Sequence, residues 1–480
     1  MASGNARTSG DVQTVIDSAR KRIRHSDIPI PRDTSTDTGR PPGPGRSQVL
    51  RNMYVQTRAP WFMVELEREF PTITHFTFAG MHRYLVNSPE IAVAAFLDHA
   101  HDVIKGPAYD SLKAFVGNGL LTAEGPTHLA HRRLAQPAFH RERIGEYSQA
   151  MIDLALALDQ SWRDGEAVDM SMEMTELTLT IVGRTLFGVD ISQDAEGTGQ
   201  ALKRMLQVAG RYVSFGPAIW RYPSPIRTSA ATSLSTVDSV VNRIIAEHRA
   251  TGDTGDILSL LLAAKEDGDE FTDEQVRDEI VTLVIAGHET TAMSLTWSWM
   301  LLAQNPEQRE WLHEELDSVL GGRPPTMDDI PNLPRTHAVI AEALRLYTPV
   351  WMYGRRALVD MELGGWTVPA GSNIMASPFA MHRSARWWPD ADTFQPTRWI
   401  NDSGAFDERQ PDVPRGAWMP FGWGSRKCIG EMFAWTEAIL LVAILAQRWA
   451  PTMAPGAVVR PESNITLRPK GGMPMVLRRR

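Results

Sequence analysis

Cysteine is nearly absent from this chain: Cys428 is the sole example in 480 residues. One thiol excludes an intramolecular disulfide, a zinc site built from several cysteines and an ordinary four-cysteine iron–sulfur cluster. A reducing, cytoplasmic setting is the expectation. Long apolar runs are missing as well. No uninterrupted span of about 20 apolar residues occurs, so no membrane span is expected. The opening MASGNARTSGDVQTVIDSARKRIRHSD has no apolar stretch of the signal-peptide kind. Its residues 12–24 suit a short, solvated basic helix. Basic charge is not in excess, and a net charge of −8 argues against a nucleic-acid-binding protein. Repeats are absent too.

What is there is apolar material in plenty, 43% of residues, enough for a sizeable core. A lead-in over residues 1–40 ends at GRPPGPG, where proline and glycine interrupt regular structure. ITHFTFAGMHRYLVNSP reads as a hairpin, and SPEIAVAAFLD starts a helix behind Ser-Pro. From about 126 to 350 the pattern is helical. The clearest helix opens at FTDEQVRDEIVTLVIAGHETTAMSLTWSWMLLAQNP, with Thr272 as N-cap and Gln275 completing a capping box. Asn305-Pro306 stops it. At 1.5 Å per residue it spans on the order of 45–50 Å, and its apolar middle predicts burial all round. After 350 short strands are expected, then a polar meander over 401–416, an apolar helix over 430–449 and a terminal hairpin at TLRPKGGMPMVLRRR. The composite is one mainly α domain, 41–480, with small β-sheets at its flanks.

The single thiol sits in PFGWGSRKCIG, just ahead of that last helix. A helix N-terminus, Arg426 and Lys427 would each favour a thiolate. Gly424 and Gly430 let the backbone turn sharply and approach something flat, beside an apolar wall of Phe421 and Trp423. Such a sulfur could be a nucleophile, an axial metal ligand or a buried structural cysteine. The spacing, however, matches F-x-x-G-x-R-x-C-x-G at Phe421, Gly424, Arg426, Cys428 and Gly430. In this the chain resembles the cytochromes P450, and the resemblance implies that Cys428 is the proximal thiolate of heme iron.

Other motifs agree with that resemblance. AGHETT, Ala286 to Thr291, places a carboxylate in the centre of an apolar helix, where it is costly unless used or paired. It matches the family's A-G-x-[DE]-T-[ST]. By resemblance, Glu289 and Thr290 deliver protons to dioxygen, Gly287 leaves room for it, and His288 has no chemical role. Glu342 and Arg345 of EALR, with Arg398 of FQPTRW, match the family's structural triad. His128 and Arg132 lie one helical turn apart in GPTHLAHRRLAQPAF and match a heme-propionate motif, as does Arg355; Arg356 is read as facing outward. Arg426 would add a further charge. A metal pair at His128 and His131 is the competing reading, disfavoured by the neighbouring arginines.

The resemblance covers about residues 40–480 and implies the cytochrome P450 fold, a single domain whose long central helix crosses over heme. It implies a heme-thiolate monooxygenase that binds heme b (iron protoporphyrin IX) and inserts one oxygen atom from O2 into a lipophilic terpenoid, steroid or fatty acid. A ferredoxin and an NAD(P)H-linked ferredoxin reductase would supply electrons, docking at a cationic patch of Arg132, Arg133, Arg141, Arg143 and Lys427. The pocket would draw on Phe115, Met205, Phe215, Val284, Ile285, Ala286, Val350, Trp351, Met352 and Met473. A peroxide-using peroxygenase and a non-catalytic heme-thiolate sensor or carrier are the rivals; neither needs the Glu289–Thr290 pair.

Overall fold

The computed structural model describes residues 39–78, 80–190, 195–215, 225–252, 256–263, 265–266 and 269–480. The lead-in and its basic helix at 12–24 therefore lie outside the described residues, save Gly39 and Arg40. From Arg46 the chain builds α1 (Arg46–Met53) and α2 (Ala59–Glu69). The expected hairpin follows as β1 (Ile73–Phe78) and β2 (Met81–Val86), paired from Ile73↔Val86 to Phe78↔Met81. Strand periodicity puts Phe76, Phe78, Arg83 and Leu85 on one face, against Val49, Phe62 and Met63 of α1 and α2.

Next come β3 (Val103–Lys105), α3 (Pro107–Val116), α4 (Gly125–Ala135), α5 (Arg141–Ser161), α6 (Met170–Leu186), α7 (Ala195–Phe215) and α8 (Pro225–Thr251). The long helix is α9 (Asp273–Gln304). Its start is the predicted capping box: Gln275 N donates to Thr272 Oγ1 at 3.2 Å, and Thr272 N donates to Gln275 Oε1 at 2.8 Å. Its 32 residues reach about 48 Å. The helix packs chiefly on α6 and, beyond that, on α8, on α10 (Pro334–Leu346) and on α11 (Glu431–Leu445), which explains its apolar surface on all sides.

Between α10 and α11 run β4 (Tyr353–Ala357) and β5 (Asn373–Ala376). They complete a sheet of order β1-β2-β5-β4-β3, with β5 parallel to β2 and antiparallel to β4. The expected terminal hairpin does not form. Residues Leu467–Pro469 pair with Pro461–Ser463, whereas Pro474–Val476 pair with Thr452–Met453 and Ala167–Asp169. The reason is the turn: Gly471 and Gly472 have φ of 81° and 99°, and Met473 N–H is held by Asp169 Oδ1 at 2.8 Å. A side chain at position 472 would collide with that carboxylate.

The meander is fixed through Glu342, which is wholly buried on α10. Its Oε1 accepts from Arg345 Nη2 at 2.8 Å, Arg398 Nε at 3.1 Å and Gln395 N at 2.9 Å. Its Oε2 accepts from Arg345 Nε and Trp399 Nε1, each at 2.9 Å. Arg345 also donates to the carbonyls of His382, Ala391 and Thr393. The expected triad is thus assembled, and it ties three stretches of irregular chain to one helix.

Burial alone would raise the Glu342 pKa, but Arg345 and Arg398 hold it below its ordinary 4.5. Its stabilisation is fully present above that ordinary value and is lost as pH falls through the depressed one. Glu342→Ala leaves Arg345 buried without its carboxylate and is expected to cost about 3–5 kcal/mol. Denaturant unfolding at neutral pH measures this, and the difference from the parent protein should shrink in acid.

Candidate active site

The cysteine loop closes on itself before α11 begins. Cys428 N–H donates to the Phe421 carbonyl at 2.9 Å, Lys427 N–H to Gly424 O at 3.1 Å, and Gly422 N–H to Met419 O at 3.2 Å. Gly422 and Gly424 take φ of 69° and 61°, a region side-chain-bearing residues avoid. At Gly424 a methyl would also strike Leu97 Cδ2, 2.8 Å away. Arg132 Nη1 donates to Lys427 O at 2.8 Å and so braces the loop from α4. The Gly430 N–H hydrogen-bonds the Cys428 thiolate side.

The result is a sulfur that looks into a cavity of about 430 Å³. Cys428 lines that cavity with an exposed face. Desolvation pushes its thiol up to about 11, against the pull of the Gly430 N–H, Arg132 and Lys427. The helix end and the cations favour the thiolate, as expected, but in the free protein desolvation outweighs them. A bound metal would reverse that balance, since a coordinating thiol is deprotonated outright.

One end of the cavity carries an excess of positive charge. Arg355 and Arg426 line it, with Lys105, Arg132 and a neutral His128 beside them. Glu124 is the carboxylate that answers this group: it pairs with Arg426 and accepts the Lys105 backbone N–H at 2.7 Å, while Lys105 Nζ donates to the Leu120 and Leu121 carbonyls. The remainder repel one another. Burial, Arg426 and Arg355 hold Lys105 well below its ordinary value, despite Glu124. Burial, then Arg426, Lys105 and Arg132, push His128 down to about 3. An apolar enclosure with a thiol inside and surplus cations at one edge fits a flat, metal-bearing group with acidic substituents. Lys105 was not anticipated; a lone lysine inside VIKGP was its only signal.

Arg356 does not face outward as expected. It is buried, with Nη2 at 3.0 Å from Asp110 Oδ2, because strand alternation sends Arg355 and Arg356 to opposite faces of β4. His131 meets Glu279 Oε1 at 2.5 Å inside the protein, and no cluster of three metal-binding side chains exists among the described residues.

On α9, Ala286, Gly287, Glu289 and Thr290 all line the cavity. Glu289 is buried and paired: Oε1 accepts from Thr466 Oγ1 and Oε2 from Arg468 Nη2, both at 2.6 Å. Neither partner was foreseen, because they lie far along the chain in the strand that the sequence assigned to a hairpin. Thr290 Oγ1 donates to Ala286 O at 2.7 Å, leaving its lone pairs for the cavity. Gly287 lines the cavity, and packing against α6 also requires it: a methyl there would lie 2.9 Å from Val182 Cγ2. His288 is buried and donates Nδ1–H to Val284 O at 2.6 Å, a packing role.

Of the expected pocket residues, Ile285, Val350, Trp351 and Met352 line the cavity. Phe115, Met205, Val284 and Met473 do not; each is buried in the surrounding core. Tyr109, Leu112, Leu206 and Leu283 take their places, because helical and turn phase differ by a residue or more from the expected one. The side chain of Phe215 lies outside the described residues.

The profile of the cytochrome P450 family matches residues 41–475. Pentalenene oxygenase of Streptomyces avermitilis is 37% identical over 88% of this chain and 94% of its own. Cyclooctatin synthase of Streptomyces melanosporofaciens is 36% identical over 80% and 84%, and cyclooctat-9-en-7-ol 5-monooxygenase of the same organism 38% over 78% and 82%. The chain belongs to the cytochrome P450 family and is a heme-iron monooxygenase of it. No helix among the described residues is long and apolar enough to cross a membrane.

The Glu289–Arg468 pair gives a direct test of the site's architecture. Arg468→Leu strands a buried carboxylate and should cost about 3–5 kcal/mol, whereas adding Glu289→Gln should restore much of it. Thermal unfolding of the single and double variants checks this; an unchanged midpoint for Arg468→Leu would contradict it.

Proposed function

We propose that this protein inserts one oxygen atom from O2 into an apolar terpenoid, with heme b held through Cys428. The carrying observation is that the Cys428 sulfur and the cations Arg355 and Arg426, which have only Glu124 between them, line a single apolar cavity. Arg132, Arg355 and Arg426, with His128 and the unanticipated Lys105, would hold the two propionates. Phe421, Gly424 and Gly430 shape the loop beneath. Bound there, heme supplies dioxygen activation and oxygen insertion into a C–H or C=C bond.

The chain's own residues do the rest. Ile285, Val350, Trp351 and Met352 offer an apolar lining that excludes water and orients a hydrocarbon skeleton. Thr290 keeps its hydrogen on Ala286 O and can accept a hydrogen bond from a water in the cavity. Glu289 lies next to it in sequence and shares the cavity wall, so the two can hold and pass protons there. The names of the relatives refer to pentalenene and cyclooctat-9-en-7-ol, and we carry that terpenoid class to this chain. Steroids and fatty acids are left as weaker alternatives. Electrons are assigned to a ferredoxin and its NAD(P)H-linked reductase. Arg133 and Arg141 are exposed near Arg132 and suit an acidic partner. Arg143 and Lys427 contribute less, being paired with Glu146 and Glu431.

The test is reconstitution of the heme-loaded protein with ferredoxin, reductase and NADPH, a panel of cyclic terpenoids and isotopically labelled O2. A product carrying one labelled oxygen atom is expected. Turnover with hydrogen peroxide but not with the redox proteins would favour a peroxygenase instead.

Two variants sharpen the assignment. Cys428→Ser should abolish the red-shifted Soret band of the reduced carbonyl adduct that a thiolate ligand produces. Thr290→Ala should keep that band while product per NADPH falls by roughly tenfold or more. Unchanged coupling in Thr290→Ala would remove this hydroxyl from the proton path.

A further inference from the structure

The cavity wall includes a second buried cation that the heme reading does not use. Arg83 of β2 is 6% exposed and lines the cavity with Gln56, Asn373 and Met375. The similarly buried Arg277, Arg345, Arg356 and Arg468 each meet a carboxylate. Arg83 meets none among the described residues. Its Nη1 lies 3.6 Å from Met375 Sδ, a weak acceptor, and its Nε has no partner. With the Asn373 amide turned to satisfy its neighbours, the Asn373 oxygen accepts from Nη1 at 3.3 Å. The guanidinium also sits 5.1 Å from the centroid of the Phe78 ring. Neutral contacts of this kind leave a desolvated charge poorly compensated. Burial pushes Arg83 down to about 10.

The strand register separates this cation from the cluster at the cavity's other edge. Asn373 pairs with Arg83 on one side and Arg356 on the other, while Ile374 pairs with Tyr84 and Arg355. Arg83 and Arg355 therefore project to opposite faces of the sheet. A group held by Arg355 does not account for Arg83.

We propose that Arg83 anchors the carboxylate of a substrate whose remaining body is apolar, so that the ligand is an oxidised terpenoid acid rather than a bare hydrocarbon. The inference rests on the apolar-substrate reading above and deepens it. The reaction that supplies such a substrate must itself leave a carboxylate, by oxidation of a terminal carbon or hydrolysis of an ester. A carboxylate would pair with Nε and an Nη of the guanidinium in its preferred two-bond geometry.

The experiment is a Soret titration of the heme-loaded ferric protein with abietic acid and with its methyl ester, which keeps the skeleton and removes the charge. The acid should bind at least about tenfold more tightly, as expected for a charge-assisted pair in a dry site. Arg83→Met should erase that preference, and Arg83→Lys should retain part of it. Arg83→Met should also unfold at no lower temperature than the parent, since it removes a charge that meets no carboxylate among the described residues; a purely structural arginine would lower it. Equal affinity for acid and ester, or a preference that survives Arg83→Met, overturns the anchor alone. A Soret band that moves with neither compound overturns the apolar-substrate reading as well.

Discussion

Turning the backbone so that Cys428 faces the apolar cavity sets the conditions for everything else in the molecule. The turn needs glycine at 422 and 424, where φ is positive, and a carbonyl brace from Arg132. It also needs α11 to start immediately afterwards, so that the Gly430 N–H can reach the sulfur. Desolvation raises the pKa of the free thiol, and a bound metal would draw off its proton. The long helix α9, apolar on all sides, provides the opposite wall.

Charge is distributed around that cavity by a simple logic. Two carboxylates that hold the fold are fully answered: Glu342 by Arg345 and Arg398, Glu289 by Arg468 and Thr466. Of the arginines that line the cavity, Arg426 pairs with Glu124, while Arg355 at one edge and Arg83 on the other face of the sheet meet no carboxylate among the described residues. Unanswered buried charge destabilises a protein unless a ligand completes it. The surplus therefore marks where acidic groups belong, and the two faces of the sheet make two such places from one cavity wall.

The proton-handling pair shows why adjacency in sequence and adjacency in space differ. Glu289 and Thr290 are neighbours, but successive helical residues diverge by about 100°. The carboxylate reaches the strand at Leu467–Pro469 while the hydroxyl turns back on its own helix. The acid is thus tied to the C-terminal part of the chain, and any movement of that strand bears on it directly.

Local pattern determined much of this protein. The capping box at Thr272, the reach of α9, the β1–β2 hairpin and the spacing around Cys428 depend on residues close together in the chain, and all are present as read. So is the Glu342 triad, whose members are recognisable one by one. Tertiary structure alone decided what depends on distant partners: the strands around Gly471 go to different sheets, Gly287 is small because Val182 lies against it, and Arg356 turns in to Asp110. It alone decided, too, that Arg83 lines the cavity with no carboxylate partner among the described residues. A linear pattern records which groups can ionise, but only packing fixes which of them lose their water and which gain a counter-charge.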